Sequence, residues 1–180
     1  RLAEVRIEIA NALAPTPLGD IEMFAVSSQS GQGIDALRAR LFAAAREWQA
    51  RSDKGRFRLA VDRSFTLPGT GTVVTGTVLS GSVSVGDQVV VSPSGLWARV
   101  RGIRAQNSVT EIGRAGDRCA LNLAGDGVTK DAIARGDVVL DPELHAPAGR
   151  VDARVEVLAG EARPVTQWMP VRLHHAATEV

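Results

Sequence analysis

The chain has 180 residues, 44% hydrophobic and 23% charged, a composition that fits one or two folded globular domains. Lys plus Arg number 21 and Asp plus Glu 20, a net charge of +1, so no bulk basic excess draws it to nucleic acid and any RNA contact must be local. No run of about 18 apolar residues exists to span a bilayer, and the single cysteine, Cys119, excludes an intrachain disulfide or a cysteine-based zinc cluster, which suits a reducing cytoplasm.

The chain opens on Arg1-Leu2-Ala3-Glu4, with neither an initiator Met nor a signal-peptide core, and is expected to begin inside a longer protein. Arginine greatly outnumbers lysine; this favours planar, bidentate anion contacts, although genomic base composition accounts for the bias equally well. Leu2, Val5, Ile9 and Leu13 recur at spacings of three and four, which predicts one apolar helix face. Pro15, Pro17 and Gly19 end that helix. Ile21 to Val26 reads as a short buried strand, followed by a turn-rich stretch from Ser27 to Gly33. A second helix is expected to carry Ile34, Leu37, Leu41 and Phe42 inward, with Asp35 in its first turn where the helix dipole favours negative charge.

After the charged linker Gln49 to Arg56 the texture changes. Phe57, Leu59 and Val61 alternate with Arg58, Ala60 and Asp62, and apolar runs follow at Val73–Leu79, Gln88–Val91, Trp97–Ile103, Arg118–Leu123 and Asp137–Leu140. Turn signals separate them, among them Gly86-Asp87 and Gly116-Asp117. Short strands at this spacing predict a closed antiparallel barrel or a sandwich. A Pro-rich joint from Asp141 to Pro147 precedes a last alternating run, Val151, Ala153, Val155 and Val157.

Three motifs go further. Ala25-Val26-Ser27-Ser28-Gln29-Ser30-Gly31-Gln32-Gly33 resembles the last nucleotide-contacting loop of the elongation factor Tu superfamily of translational GTPases, which more often carries Ser-Ala-Lys or Ser-Ala-Leu there. A plain strand-to-helix loop reads the same. Asp62-Arg63-Ser64-Phe65-Thr66-Leu67-Pro68-Gly69-Thr70-Gly71-Thr72-Val73-Val74-Thr75-Gly76-Thr77-Val78 resembles the opening hairpin of that superfamily's second domain. Gly116-Asp117-Arg118-Cys119-Ala120-Leu121-Asn122-Leu123 and Arg135-Gly136-Asp137-Val138-Val139 resemble its barrel-closing strands. Phe57 to Arg63, Arg101 to Asn107, Arg118 and Thr166 to Ala176 are similar to the selenocysteine-specific elongation factors within the superfamily.

The resemblance implies a mainly β fold: an elongation factor Tu-like domain II antiparallel barrel over 55–143. Before it comes the α-β-α C-terminal remnant of a P-loop GTPase domain over 1–52, and after it the incomplete start of a second barrel over 148–180. It also implies an internal piece of a translation elongation factor that carries selenocysteyl-tRNA to the ribosome at recoded stop codons, in the cytoplasm. The selenocysteine-insertion mRNA hairpin would be bound by a region outside this chain. GTP and Mg²⁺ belong to the full-length parent. No Gly-x-x-x-x-Gly-Lys-Ser/Thr loop occurs here, so this piece is not expected to hydrolyse GTP itself. Ser27, Ser28 and Gln29 would contact guanine.

By the same resemblance Asp62, Arg63 and Arg118 would receive the aminoacyl end. A selenol, more acidic than a thiol, is ionised at neutral pH, and a permanently protonated guanidinium answers that charge. A structural salt bridge is the other reading of Asp62. Arg99, Arg101 and Arg104 are candidates for phosphate contacts or solvated surface. His174-His175 reads as local structure or a tRNA-facing surface rather than a metal site, because neighbouring strand residues point oppositely. Trp97 and Trp168 read as core or interface aromatics, and Cys119 as packed in the barrel. Two competing readings stay open: part of a general elongation or initiation GTPase, and a β-barrel interaction module without an RNA ligand.

Overall fold

The computed structural model describes residues 1–47, 53–158, 160–161 and 163–179. It divides into two compact units, Arg1–Gln49 with Asp152–Met169 and Ala50–Val151 with Pro170–Val180.

The first unit holds helices α1 (Leu2–Leu13) and α2 (Ile34–Glu47) where the apolar spacing predicts them. The inward face expected of α2 is not buried: neither helix has a buried residue, and Leu41 and Phe42 are 61% and 59% exposed. Residues 21–26 and 151–157 are not strands either, because no ladder partner faces them among the described residues. Alternation marks a strand's faces but cannot supply the neighbour that satisfies its backbone.

The second unit is the barrel. Its strands are β1 (Arg58–Leu67), β2 (Gly71–Ser80), β3 (Ser82–Ser84), β4 (Gln88–Ser92), β5 (Leu96–Ala105), β6 (Ser108–Thr110), β7 (Ile112–Arg114), β8 (Arg118–Ala124) and β9 (Val138–Leu140). The order β4-β9-β1-β2-β8-β5, closed by pairing of β5 with β4, makes a six-stranded antiparallel barrel. Closure removes the open edges that invite aggregation. β6 extends β5, and β3 pairs with β7. A hairpin of β10 (His174–His175) and β11 (Thr178–Glu179) completes the described strands.

Alternation within each strand sends the core residues inward. Leu59, Val61, Val74, Val78, Val89, Val91, Val100, Ile103, Leu121, Leu123 and Val139 fill the barrel, joined by Ile133 from the β8–β9 loop. Leu121 is fully buried. Leu121→Ala is therefore expected to lower stability by about 2–5 kcal/mol through lost burial and a residual cavity, read as a shifted urea midpoint at unchanged slope.

Three Gly-Asp corners close the barrel by one repeated device. At Gly86-Asp87, Gly116-Asp117 and Gly136-Asp137 the glycine has φ near +99°, +95° and +98°, a left-handed backbone that glycine adopts without a Cβ penalty. Each aspartate carboxylate accepts from the backbone N–H three residues earlier, of Ser84, Arg114 and Ala134. Each glycine N–H then donates to a neighbouring strand residue whose own N–H donates back to the aspartate carbonyl: Val100, Val78 and Val61 in turn. The Arg135-Gly136-Asp137 triplet is thus a structural corner.

Candidate functional site

The β1–β2 ladder shifts register at two points, between Arg58 and Leu59 and between Val61 and Arg63. Val61 pairs with Gly76 and Arg63 with Thr75, so Asp62 is an extra residue in a β-bulge. Val61 is buried in the core. In an unbroken strand Arg63 would point the same way, because side chains alternate; the bulge re-aims it. Arg63 sits opposite the outward-facing Thr75 and is exposed.

Gly76 makes the bulge possible. A Cβ there would lie 2.1 Å from the Ala60 carbonyl oxygen and 2.7 Å from Leu59 Cδ2. The two backbones approach too closely for any side chain, a role of this glycine beyond the turn chemistry expected of the motif.

β8 supplies the other half of the site. Thr77 pairs with Arg118 and Thr75 with Ala120, so Arg118 shares the outer face with Thr75. Asp62 bridges them. Thr75 Oγ1 donates to Asp62 Oδ1 at 2.6 Å, and the Arg118 guanidinium donates to Asp62 Oδ2 in an ion pair. The Arg63 side chain forms no hydrogen bond or ion pair with a described residue, although its charge acts on Asp62. Two guanidinium groups against one carboxylate leave a local net positive charge on this face.

Burial works to raise the Asp62 carboxyl. Hydrogen bonds from Arg118 and Thr75, and the charges of Arg118 and Arg63, outweigh it and hold Asp62 below the ordinary carboxylate range. The same bond raises Arg118, which stays protonated. With its value depressed by folding, Asp62 contributes stability at pH above the unfolded value, about 3.9. That contribution fades as pH falls through the lower folded value. At neutral pH the pair is fully ionised.

Beside the pair lies an open pocket of about 450 Å³ lined by Thr75, Arg104, Gln106, Asn107, Arg118, Cys119 and Ala120. Gln106 and Asn107 carry positive φ of 51° and 65° in the β5–β6 turn, where Arg104 donates to the Asn107 carbonyl. Positive φ at both central residues is what a two-residue hairpin turn requires, since Ala105 pairs with Ser108. The Cys119 side chain lies on the core side: the residue is 1% exposed, and burial first, then Asp117, pushes its thiol up to about 11. Native protein should resist iodoacetamide at pH 8 and react once unfolded, because only the thiolate attacks.

The remaining candidates are placed as follows. Arg99, Arg101 and Arg104 are exposed on β5, with a bulge at Arg101. His174 Nδ1 lies 3.7 Å from Glu179, and no metal-holding group of His, Cys, Asp and Glu occurs among the described residues. Trp97 and Trp168 are 57% and 91% exposed, so neither is a core aromatic. Ser27, Ser28 and Gln29 lie in the first unit, before α2. Ser27 N–H donates to the Gln32 carbonyl, and Ser27 Oγ accepts from Ser30 N–H. The Ser28 and Gln29 backbone N–H groups have no partner among the described residues and lie in an exposed turn. Sequence reasoning missed Thr75, Gly76 and Gln106. Alternation along β2 places Thr75 on the outer face, but its partner depends on the bulge.

Residues 71–140, which hold β2 to β9 of this barrel, match the family described as elongation factor Tu domain 2. The chain is similar to members of the elongation factor Tu superfamily. Over its whole length it is similar to selenocysteine-specific elongation factors. It is 39% identical over 180 residues to that of Escherichia coli, covering 100% of this chain and 28% of the relative. Among solved structures it resembles a bacterial selenocysteine-specific elongation factor, EF-Sec, with TM-score 0.67 and 32% identity, covering 79% of this chain and 24% of that one. It also resembles the translation elongation factor SelB of Methanococcus maripaludis in complex with the GTP analogue GppNHp. That match has TM-score 0.69 and 26% identity and covers 78% of this chain and 31% of that one. The chain thus spans less than a third of the proteins it matches. No helix among the described residues is long and apolar enough to cross a membrane.

Proposed function

We propose that this chain is the aminoacyl-end-binding segment of a GTP-dependent, selenocysteine-specific elongation factor. The barrel, residues 55–143, receives the selenocysteyl end of its tRNA for delivery to the ribosome at recoded stop codons. Residues 1–52 complete a GTP-binding domain, with Ser27, Ser28 and Gln29 beside the guanine, and residues 148–180 begin a third domain. The nucleotide phosphates and Mg²⁺ fall to a part of the protein outside this chain, as does the mRNA hairpin. The complete factor works in the cytoplasm and hydrolyses GTP.

One observation carries this reading: Arg63 and Arg118 share an outer face with a single carboxylate, so an uncompensated guanidinium faces solvent beside a pocket. A selenolate is an anion of matching charge, and charge-assisted hydrogen bonds are roughly twice as strong as neutral ones. A neutral serine side chain leaves that cation without its counter-charge, which is how such a site rejects the wrong ligand.

The test uses the complete protein with GTP bound, titrated with selenocysteyl-tRNA and seryl-tRNA on the same tRNA body. Tighter binding of the selenocysteyl form supports the reading; equal binding makes the protein a general tRNA carrier. The barrel assignment carries its own expectation, that limited proteolysis leaves a resistant core spanning about residues 55–141, since closed strand pairing protects backbone from cleavage. Degradation without such a core would contradict it.

A further inference from the structure

We propose that Thr75 is the positioning residue of the anion pocket: its hydroxyl fixes Asp62 on Arg118 and so keeps Arg63 open to the ligand. The proposal rests on the aminoacyl-binding reading above and adds a residue and a division of labour to it.

Asp62 stands on a bulge, where no ladder partner restrains it, and its carboxylate lies near two guanidinium groups. A carboxylate on such a backbone can turn towards either arginine, and pairing with Arg63 would remove the cation that a selenolate needs. Thr75 decides between them. Its Oγ1 donates to Oδ1 at 2.6 Å, which leaves Oδ2 for Arg118. The donor is itself held firmly. Thr75 lies in mid-β2, hydrogen-bonded between β1 and β8, opposite Arg63 on one side and Ala120 on the other. Its β-branched side chain has few rotamers to choose from. Arg118 becomes a neutralised, oriented wall of the pocket, and Arg63, across the ladder from the pocket-lining Thr75, the unpaired cation next to it.

The experiment uses the complete factor with GTP bound and reads the ratio of its affinities for selenocysteyl-tRNA and seryl-tRNA. Thr75→Val removes the hydroxyl and keeps the shape. It is expected to cut the ratio about tenfold, or about 1.4 kcal/mol, by weakening the selenocysteyl form while seryl-tRNA binding and the melting temperature hold. Thr75→Ser, which keeps the donor, restores the ratio. Thr75→Ala gives the same loss as Val and serves where Val folds poorly. In an Asp62→Ala background, which removes the acceptor, Thr75→Val should cost nothing further, the non-additivity expected of two residues acting through one bond. A Thr75→Val ratio within about twofold of wild type, while Arg118→Ala abolishes discrimination, would overturn the role of Thr75 alone. A wild type that does not discriminate would overturn the aminoacyl reading and this proposal with it.

Discussion

Arg118→Ala is expected to weaken selenocysteyl-tRNA binding by the GTP-bound complete factor about 100-fold, roughly 3 kcal/mol, and seryl-tRNA binding far less. Two effects combine. The first is loss of a fixed guanidinium at the pocket wall. The second is release of Asp62, whose strongest lowering influence is its bond to Arg118. Freed, the carboxylate turns to Arg63 and neutralises the cation that remains. A single substitution thus takes away both positive groups, which is why its effect should exceed that of an ordinary exposed ion pair. Arg118→Lys should recover little, since a lysine ammonium is a point charge without the planar fork. Equal losses for both aminoacyl-tRNAs would show that Arg118 merely holds the barrel together.

Gly76→Ala is expected to destabilise the barrel by about 3 kcal/mol or more, because a methyl group cannot share space with backbone. The new Cβ would sit 2.1 Å from the Ala60 carbonyl oxygen, an atom fixed in β1. Relief requires parting β1 from β2 at the very place where the bulge turns Asp62 and Arg63 outward. Stability and selectivity should therefore fall together, the first read by chemical denaturation and the second by the ratio of aminoacyl-tRNA affinities. A variant within about 1 kcal/mol of wild type would show that the strands can separate there at little cost.

The barrel was legible because it is built from local signals. Period-two alternation located six strands, and Gly-Asp pairs marked corners that recur with the same hydrogen bonds. The elements that failed depend on partners. Ile21 to Val26 and Val151 to Val157 alternate or run apolar as strands do, yet the ladder that makes a strand comes from another stretch of chain. Apolar spacing marks a face on both α1 and α2, but it does not supply the partner that would bury the α2 face.

At the site the residues were visible before their geometry. Asp62, Arg63 and Arg118 stand out by resemblance, but simple alternation from Phe57, Leu59 and Val61 sends Arg63 into the core. Only the bulge reverses it, and a bulge leaves no mark in the pattern of one strand. Its signature lies on the neighbour, in a glycine at position 76 with ordinary φ whose purpose is to have no side chain. Thr75 was hidden for the same reason, since its hydrogen bond follows from the shifted register.

The central claim is that this barrel recognises a negative charge on the aminoacyl side chain. Cysteinyl-tRNA on the selenocysteine tRNA body tests it most directly, because the cysteine thiol ionises near pH 8.5 whereas serine stays neutral throughout. Affinity of the GTP-bound complete factor would be measured from pH 7 to 9, with seryl-tRNA as the reference. The account predicts that cysteinyl-tRNA binding strengthens as the thiolate forms and approaches that of selenocysteyl-tRNA, while seryl-tRNA stays flat. Parallel, flat curves for cysteinyl- and seryl-tRNA would contradict it and return Asp62, Arg63 and Arg118 to a structural role.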